Sequence, residues 1–90
     1  MKAKPSITVK IVNDLGIHAR SAAKLAKLAE AAHGGVWIKK NRHTADASSV
    51  LDILSLSCPK GSDVTVSIDD DADMETLERI VALIRSGFGE

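Results

Sequence analysis

Hydrophobic and polar residues alternate in two separate stretches of this 90-residue chain. The first is SITVKIV, residues 6–12, and the second is DVTVSID, residues 63–69. A period of two residues is typical of a strand with one covered face. The apolar members of the two stretches are Ile7, Val9, Ile11, Val64, Val66 and Ile68. The pattern therefore predicts a strand near each of these positions.

A helical pattern follows the first strand after the turn NDLG. From Ala19 to about His33 the residues are mostly alanine, leucine, lysine and glutamate, all good helix formers. Their apolar members form a narrow stripe, made of Leu25, Leu28, Ala29 and Ala32. Such an alanine-rich face can lie close against a sheet. The residues HGG, 33–35, predict that a glycine ends the helix.

Two short extended pieces come next, VWIKK at residues 36–40 and HTADA at residues 43–47. They are joined by Asn41 and Arg42, and asparagine tolerates the left-handed conformation that a tight hairpin needs. We therefore predict a β-hairpin here.

The segment SSVLDILSLSC, residues 48–58, predicts a short helix. Val50, Ile53 and Leu54 have the spacing i, i+3, i+4, and they follow a serine able to cap a helix. By this spacing we assign those three residues partly to the core, and Leu51 to the surface. The residues 59–61, which include a proline and a glycine, end the helix.

The last segment has the most regular helical pattern, with acidic residues at its start, arginines in its later turns and Gly87 after its end. Its apolar residues are Met74, Leu77, Ile80, Val81 and Ile84. The predicted order is thus βαββαβα. This order favours an α+β fold in which an antiparallel sheet carries its helices on one face.

Composition narrows the classes of function. Ninety residues are enough for one compact domain, residues 1–90, and 44% hydrophobic with 27% charged residues is ordinary for a globular chain. Twelve basic residues balance twelve acidic ones, so no overall field attracts nucleic acid or an anionic membrane. Trp37 and Phe88 are the only aromatic residues, which leaves little for bases to stack on. We expect no nucleic-acid partner.

The beginning of the chain, MKAKPSITVK, has no apolar run typical of a signal peptide, and no stretch approaches a membrane span. We expect a cytoplasmic protein with no membrane insertion. Cys58 is the only cysteine and cannot form an internal disulfide, so we expect it to be buried and structural. The three histidines lie on different predicted elements, so we expect no metal site. A hydrolase using Cys58 or a serine is disfavoured, because no activating acid or base lies at a matching spacing.

His18 is the main candidate for chemistry. A helix that begins just after it leaves its first N–H groups without helical partners, and such a helix start binds anions. Arg20 adds a charged group suited to phosphate oxygens. A neutral imidazole is a nucleophile near pH 7, so the residues fit reversible carriage of a phosphoryl group. From HAR alone, a cap or a solvent contact is the alternative. His33 is expected to partner the helix dipole, and His43 to be an exposed strand residue.

Three segments together resemble the HPr family, the histidine-containing phosphocarrier proteins of the phosphoenolpyruvate-dependent phosphotransferase system. They are LGIHAR at residues 15–20, SSVLDILSLSCPKG at residues 48–61, and the tail LIRSGFGE at residues 83–90. The resemblance implies an open-faced β-sandwich, with a four-stranded antiparallel sheet in the order 1-4-2-3 covered on one face by three helices.

The resemblance also implies the chemistry. His18 would accept the phosphoryl group on Nδ1, and Arg20 would stabilise the phosphate. Enzyme I would donate the group and enzyme IIA domains would receive it, so the protein would be a carrier, not an enzyme, without a cofactor and as a monomer. Ser49 aligns with the serine that an HPr kinase/phosphorylase modifies in many members of the family, although a serine at a helix start is first a cap.

Partners of the family dock on the first two helices. The residues that this implies for partner binding are Ser21, Lys24, Lys27, Val50, Leu51 and Leu54. An exposed Leu51 beside His18 would be an interface anchor. Asp52 stands where the family usually has a glycine or a basic residue, which would weaken contact with an acidic partner.

Ser21 departs from the family motif, which usually has proline at this position. If His18 caps the helix, Ser21 is its third residue, and serine restores an N–H donor that proline lacks. We hypothesise that this N–H, or the hydroxyl, reaches the cap or the phosphate. Two other functions stay open: a regulatory member of a nitrogen-related phosphotransferase chain, as in NPr proteins, and a binding module without phosphotransfer. The presence of both His18 and Arg20 argues against the second.

Overall fold

The computed structural model describes residues 4–90 and has the predicted element order. The strands and helices are β1 Ser6–Lys10, α1 Ala19–Glu30, β2 Val36–Lys40, β3 His43–Asp46, α2 Val50–Leu54, β4 Asp63–Ile68 and α3 Met74–Arg85. Two short 3-10 turns, Asp71–Asp73 and Gly87–Gly89, flank α3. The expectation about a signal peptide concerns in part residues 1–3, which lie outside the described residues.

The four strands form one antiparallel sheet in the order β1-β4-β2-β3, as the family resemblance implies. The register aligns Ile7, Val66, Ile38 and Ala45 in one row across all four strands. The neighbouring row is polar, and consists of Thr8, Thr65, Lys39 and Thr44. Because side chains alternate between faces, one face of the sheet is apolar and the other is polar.

The helices bury this apolar face. Ala22, Leu25, Ala26 and Ala29 of α1 are buried, and α3 contributes an equivalent buried stripe, made of Leu77, Ile80, Val81 and Ile84. Ile53 is the fully buried residue of α2. The small side chains of α1 let this helix approach its neighbours closely.

Helix α1 ends earlier than the sequence predicts, at Glu30 instead of near His33. The capping residue Ala31 has a right-handed helical conformation, so the prediction of a glycine stop is wrong. Asp73, at the start of α3, accepts hydrogen bonds from the N–H groups of Gly34 and His33, both at 2.9 Å. These bonds, that of Gly34 first, lower the pKa of Asp73. They connect the segment after α1 to the start of α3.

The role predicted for His33 is also wrong, because it lies beyond the last turn of α1 and is exposed. Gly35 does not end the helix, but it allows close packing at this point of the chain. A Cβ atom on Gly35 would lie 2.5 Å from an oxygen of Asp69 and 2.8 Å from the indole nitrogen of Trp37. Glycine therefore allows a close approach here without ending a helix.

Several local predictions are confirmed. Asn41 has φ 56° in the β2–β3 turn, and His43 is exposed on β3. Ser49 caps α2 by accepting a hydrogen bond from the N–H of Asp52 at 3.2 Å. Cys58 is buried, and burial raises the pKa of its thiol. Within residues 4–90, no helix is long and apolar enough to cross a membrane.

Replacing Ile38 should test the central position of the apolar row. Ile38 is fully buried, so Ile38→Ala should lower the free energy of unfolding by about 2–5 kcal/mol. Its neighbour Lys39 is exposed, and Lys39→Ala should change the value by less than about 0.5 kcal/mol. Urea unfolding of both variants measures the difference, and equal losses would contradict the assigned register.

Candidate functional site

His18 is the residue that caps α1. Its backbone is extended, with φ −116° and ψ −177°, and its Nδ1 accepts a hydrogen bond from the N–H of Arg20 at 3.3 Å. In return, the hydroxyl of Ser21 accepts the N–H of His18 at 2.8 Å, which completes a reciprocal capping box. The imidazole is therefore held at the helix start, with Nδ1 facing the unpaired N–H groups of the first turn.

The hydrogen bonds of the ring define its tautomer. Nε2 of His18 lies within hydrogen-bond distance of Oε2 of Glu90. An ionised carboxylate can only accept, so in the neutral ring we assign the proton to Nε2, which leaves a lone pair on Nδ1 that can accept a hydrogen bond. This assignment agrees with the hydrogen bond that Nδ1 accepts from Arg20. The side chain of His18 is 26% exposed, so a reacting partner can reach it.

The surroundings of Nδ1 favour an anion. The first turn of α1 contains no acidic residue, and the positive end of the helix dipole lies there. The side chain of Arg20 is 70% exposed, and its Nε lies 3.9 Å from Oε2 of Glu90. The guanidinium is thus close to the imidazole but free to turn towards a phosphate. Together these groups can hold phosphate oxygens next to a nucleophilic nitrogen.

Gly16 positions the loop that enters this site, although no pattern in the sequence predicted this role. It has φ +66°, and a Cβ atom there would lie 2.3 Å from the carbonyl oxygen of Cys58. The same carbonyl accepts the N–H of Ile17 at 2.8 Å. The loop before His18 is therefore pressed against the segment after α2, which needs a glycine at this position. A glycine just before the helix start is the only sequence signal for it.

Asn13 and Glu90 also lie at the site, although the sequence analysis did not predict them as site residues. The amide nitrogen of Asn13 donates to the carbonyl of Gly16 at 2.6 Å and to Oε1 of Glu90 at 3.0 Å. The hydrogen bond from Asn13, and after it the contacts with His18 and Arg20, lower the pKa of Glu90. No local pattern could reveal this group, because the residues are more than 70 positions apart in the chain.

The position of Ser21 corrects one prediction and supports another. Ser21 is fully buried, so the prediction that it contacts partner proteins is wrong. Its hydroxyl lies within reach of the cap, as hypothesised, because it accepts from the N–H of His18 and donates to the carbonyl of His18 at 3.1 Å. The hydroxyl is thus engaged inside the helix start.

The other predicted partner-binding residues differ in their availability. Leu51 is 81% exposed, which confirms its assignment to the surface, whereas Val50 and Leu54 are half-buried against the core. Lys27 is exposed in the last turn of α1. The ammonium of Lys24, in contrast, donates to the carbonyl of Phe88 at 2.7 Å, so it also holds the chain together.

A further apolar surface adjoins the histidine. Leu15 is 67% exposed and, with Val12, lines a shallow pocket that also includes Arg20 and Glu90. In the sequence, Val12 ends the first alternating stretch and Leu15 lies in the predicted turn, so neither was predicted to be part of an exposed apolar surface. Their exposure beside Arg20 provides apolar area for a partner to cover.

Ser49 lies in an acidic setting. Its hydroxyl is the cap of α2, and the carboxylate of Asp52 accepts the N–H of Asp46 at 2.7 Å. Asp46 in turn accepts both the N–H and the hydroxyl of Ser48. A phosphate on Ser49 would therefore lie close to carboxylates.

The described residues contain no group of three or more histidine, cysteine, aspartate or glutamate side chains arranged to hold a metal ion.

Comparison with known proteins agrees with this geometry. Residues 5–86 match the family described as PTS-HPr, the PTS HPr component phosphorylation site. The phosphocarrier protein HPr of Cupriavidus necator is 38% identical, over 89% of this chain and 90% of the relative. The phosphocarrier protein NPr of Escherichia coli K12 is also 38% identical, over 92% and 93%.

The solved structures agree as well. The crystal structure of HPr-C-His from Thermoanaerobacter tengcongensis superimposes with a TM-score of 0.89 at 34% identity, covering 96% of this chain and 97% of that one. That of HPr from Bacillus anthracis has a TM-score of 0.85 at 29% identity, covering 92% and 99%. The chain belongs to the PTS HPr family of phosphocarrier proteins.

Gly16→Ala should test the close approach that holds the loop before His18. Gly61 also has a positive φ, +93°, but a Cβ atom there would have no neighbour within 4 Å. Gly61→Ala should therefore cost only the strain of the left-handed backbone, about 1–2 kcal/mol. Gly16→Ala should lower the free energy of unfolding by a further 1–3 kcal/mol or so, because the segment after α2 must move. Equal losses in urea unfolding would contradict the role of the contact.

Proposed function

We propose that His18 accepts a phosphoryl group on Nδ1 from phosphorylated enzyme I and passes it to an enzyme IIA domain. The observation that carries this proposal is the unprotonated Nδ1 held beside the N–H groups of the first helical turn, with Arg20 adjacent. The chain matches a phosphocarrier family over residues 5–86. The protein is then a substrate of two enzymes and has no turnover of its own.

The transfer step uses the groups already described. The Nδ1 lone pair attacks phosphorus, and the bond from phosphorus to the donor atom breaks, its electron pair leaving with the donor. The phosphate oxygens then lie where the first-turn N–H groups and Arg20 converge. Hydrogen bonds from such groups to an anion contribute about 0.3–2 kcal/mol each, which retains the phosphoryl group without trapping it.

The partner surface that we propose combines exposed residues of the loop before His18, of α1 and of α2. Leu51 and Leu15 provide exposed apolar side chains, and Lys27 provides a positive charge, which suits partners with an apolar patch and acidic residues around it. Val50 and Leu54, on the same helix as Leu51, pack partly against the core. Asp52 is exposed on the same short helix and opposes an acidic partner.

A second candidate is a regulatory role in a nitrogen-related phosphotransferase chain. The equal identity of the chain to an HPr and to an NPr protein supports both roles. The chemistry at His18 is the same in each, and the receiving enzyme IIA domain distinguishes them.

Regulatory phosphorylation of Ser49 has less support from the structure than phosphorylation of His18. A phosphate at the start of α2 would gain the N–H groups of the first turn, but it would face the carboxylate of Asp52. It would also replace the hydroxyl that now caps the helix. The geometry therefore favours capping as the main role of Ser49.

Incubation with enzyme I and phosphoenolpyruvate should test the acceptor directly. The wild-type protein should gain the mass of one phosphate, labile in acid, and His18→Ala should gain none, because the nucleophilic nitrogen is removed. His43→Ala is a matched control, since His43 is exposed on β3 away from the helix start. Intact-mass spectrometry measures the gain. Modification that persists in His18→Ala would contradict the proposal.

Ser21→Pro should test the extra N–H of this chain. Proline removes one of the donors that face the His18 side chain, so the phosphohistidine should hydrolyse about two- to tenfold faster, the effect of one hydrogen bond. Ser21→Ala is the matched control. It keeps the N–H and loses the hydroxyl, so hydrolysis should stay as in the wild type, while stability falls by about 1 kcal/mol. Equal hydrolysis rates in all three proteins would refute a role for this N–H.

A further inference from the structure

The residues after α3 fold back towards His18. Gly87, Phe88 and Gly89 all have positive φ values, of 68°, 59° and 74°. Phe88 adopts this conformation although it is not a glycine, and its side chain is fully buried. A left-handed conformation in a bulky residue is strained and persists only where the surroundings impose it. Burial of the aromatic ring therefore anchors this segment in the core.

Two polar contacts hold the folded-back segment in place. Lys24 of α1 donates to the carbonyl of Phe88 at 2.7 Å, and Asn13 donates to Oε1 of Glu90 at 3.0 Å. The side chain of Glu90 is only 17% exposed as a result. Its second oxygen, Oε2, meets Nε2 of His18 and lies 3.9 Å from Nε of Arg20. The carboxylate is thus held on the side of the imidazole opposite the nucleophilic nitrogen.

We propose that Glu90 is a positioning residue for phosphoryl transfer: its carboxylate keeps the proton of His18 on Nε2 and stabilises the positive charge that the ring acquires when Nδ1 bonds to phosphorus. This inference rests on the proposed function of His18. It assigns a role to a residue outside the helix start and the docking helices.

The balance of the step explains why a carboxylate is useful there. When Nδ1 donates its lone pair to phosphorus, the proton on Nε2 stays, so the neutral ring becomes a phosphorylated imidazolium. A carboxylate that accepts this N–H stabilises the cation, as the aspartate of a serine protease triad stabilises its imidazolium. In the onward transfer the bond between Nδ1 and phosphorus breaks, and its electron pair returns to Nδ1. With the proton on Nε2 the ring leaves as neutral imidazole and not as an imidazolate anion, so Glu90 should keep the phosphorylated ring in the form from which transfer is faster.

Arg20 lies near both Nδ1 of His18 and the carboxylate of Glu90. In the unphosphorylated protein its guanidinium lies near Oε2 of Glu90, and its side chain is largely exposed. A phosphate on Nδ1 carries more negative charge than one carboxylate, so it should draw Arg20 away from Glu90. The contact between Glu90 and Nε2 does not depend on Arg20 and would remain.

Three variants test the inference. Glu90→Gln keeps a side chain that accepts a hydrogen bond but removes the charge, and Glu90→Ala removes both. Glu78→Gln is the matched control, because Glu78 is an exposed glutamate on α3. The anchoring Phe88 is unchanged in each, so all three should fold, and thermal unfolding verifies this.

The first measurement uses the unphosphorylated proteins at a pH where the ring is neutral. Nitrogen-15 NMR of the His18 ring should show the proton on Nε2 in the wild type and in Glu78→Gln. In Glu90→Ala the share of rings with the proton on Nδ1 should rise several-fold, because the acceptor for Nε2–H is gone. Spectra identical to the wild type would overturn the inference.

The second measurement uses enzyme I, phosphoenolpyruvate and a receiving enzyme IIA domain. Transfer from the phosphohistidine should slow about tenfold in Glu90→Gln and in Glu90→Ala, the loss expected for one charge-assisted hydrogen bond. Wild-type transfer rates in Glu90→Gln would overturn the role of the charge. If the wild type itself accepts no phosphate, the proposed function of His18 is wrong. The NMR spectra of the unphosphorylated ring still test whether Glu90 holds the proton on Nε2.

Discussion

The reciprocal cap between His18 and Ser21 is the interaction on which the site depends. A helix must leave its first N–H groups unpaired unless a side chain accepts them. Here that side chain is an imidazole, and its Nδ1 atom is therefore both the cap of the helix and the nucleophile that we propose. The hydroxyl of Ser21 completes the cap by accepting the backbone N–H of His18, while the ring itself contacts the N–H of Arg20 and the carboxylate of Glu90. The hydrogen bonds that cap the helix are therefore the same ones that orient the imidazole for the proposed phosphoryl transfer.

The sheet makes this cap rigid. Helix α1 buries Ala22, Leu25, Ala26 and Ala29, so it cannot slide or rotate without opening the core. The loop before His18 is constrained from the other side, since Gly16 lies against the carbonyl of Cys58. A helix start held between a packed core and a close backbone contact keeps its donors in position for an incoming anion. This is the role of the fold in the function.

The site has two electrostatic halves. Nδ1 faces the N–H groups of the helix and Arg20, which suit an anion, whereas Nε2 faces the carboxylate of Glu90, which suits a proton. The two halves act on opposite nitrogens of one ring, and hydrogen bonding at one nitrogen sets the state of the other. The arrangement brings together residues from the first helix, the loop before it and the segment after the last helix.

The sequence by itself determined the element order, the two alternating strands, the cap at Ser49, the surface position of Leu51 and the candidacy of His18 and Arg20. These features depend on residues close together in the chain, where periodicity and capping preferences act directly. Tertiary structure decided the rest. Helix α1 stops at Glu30, and Asp73, some forty residues away, binds the N–H groups of Gly34 and His33 in the segment that follows it. Ser21 is buried, and Glu90 reaches the imidazole, only because packing of the core brings distant segments together, which no local pattern encodes.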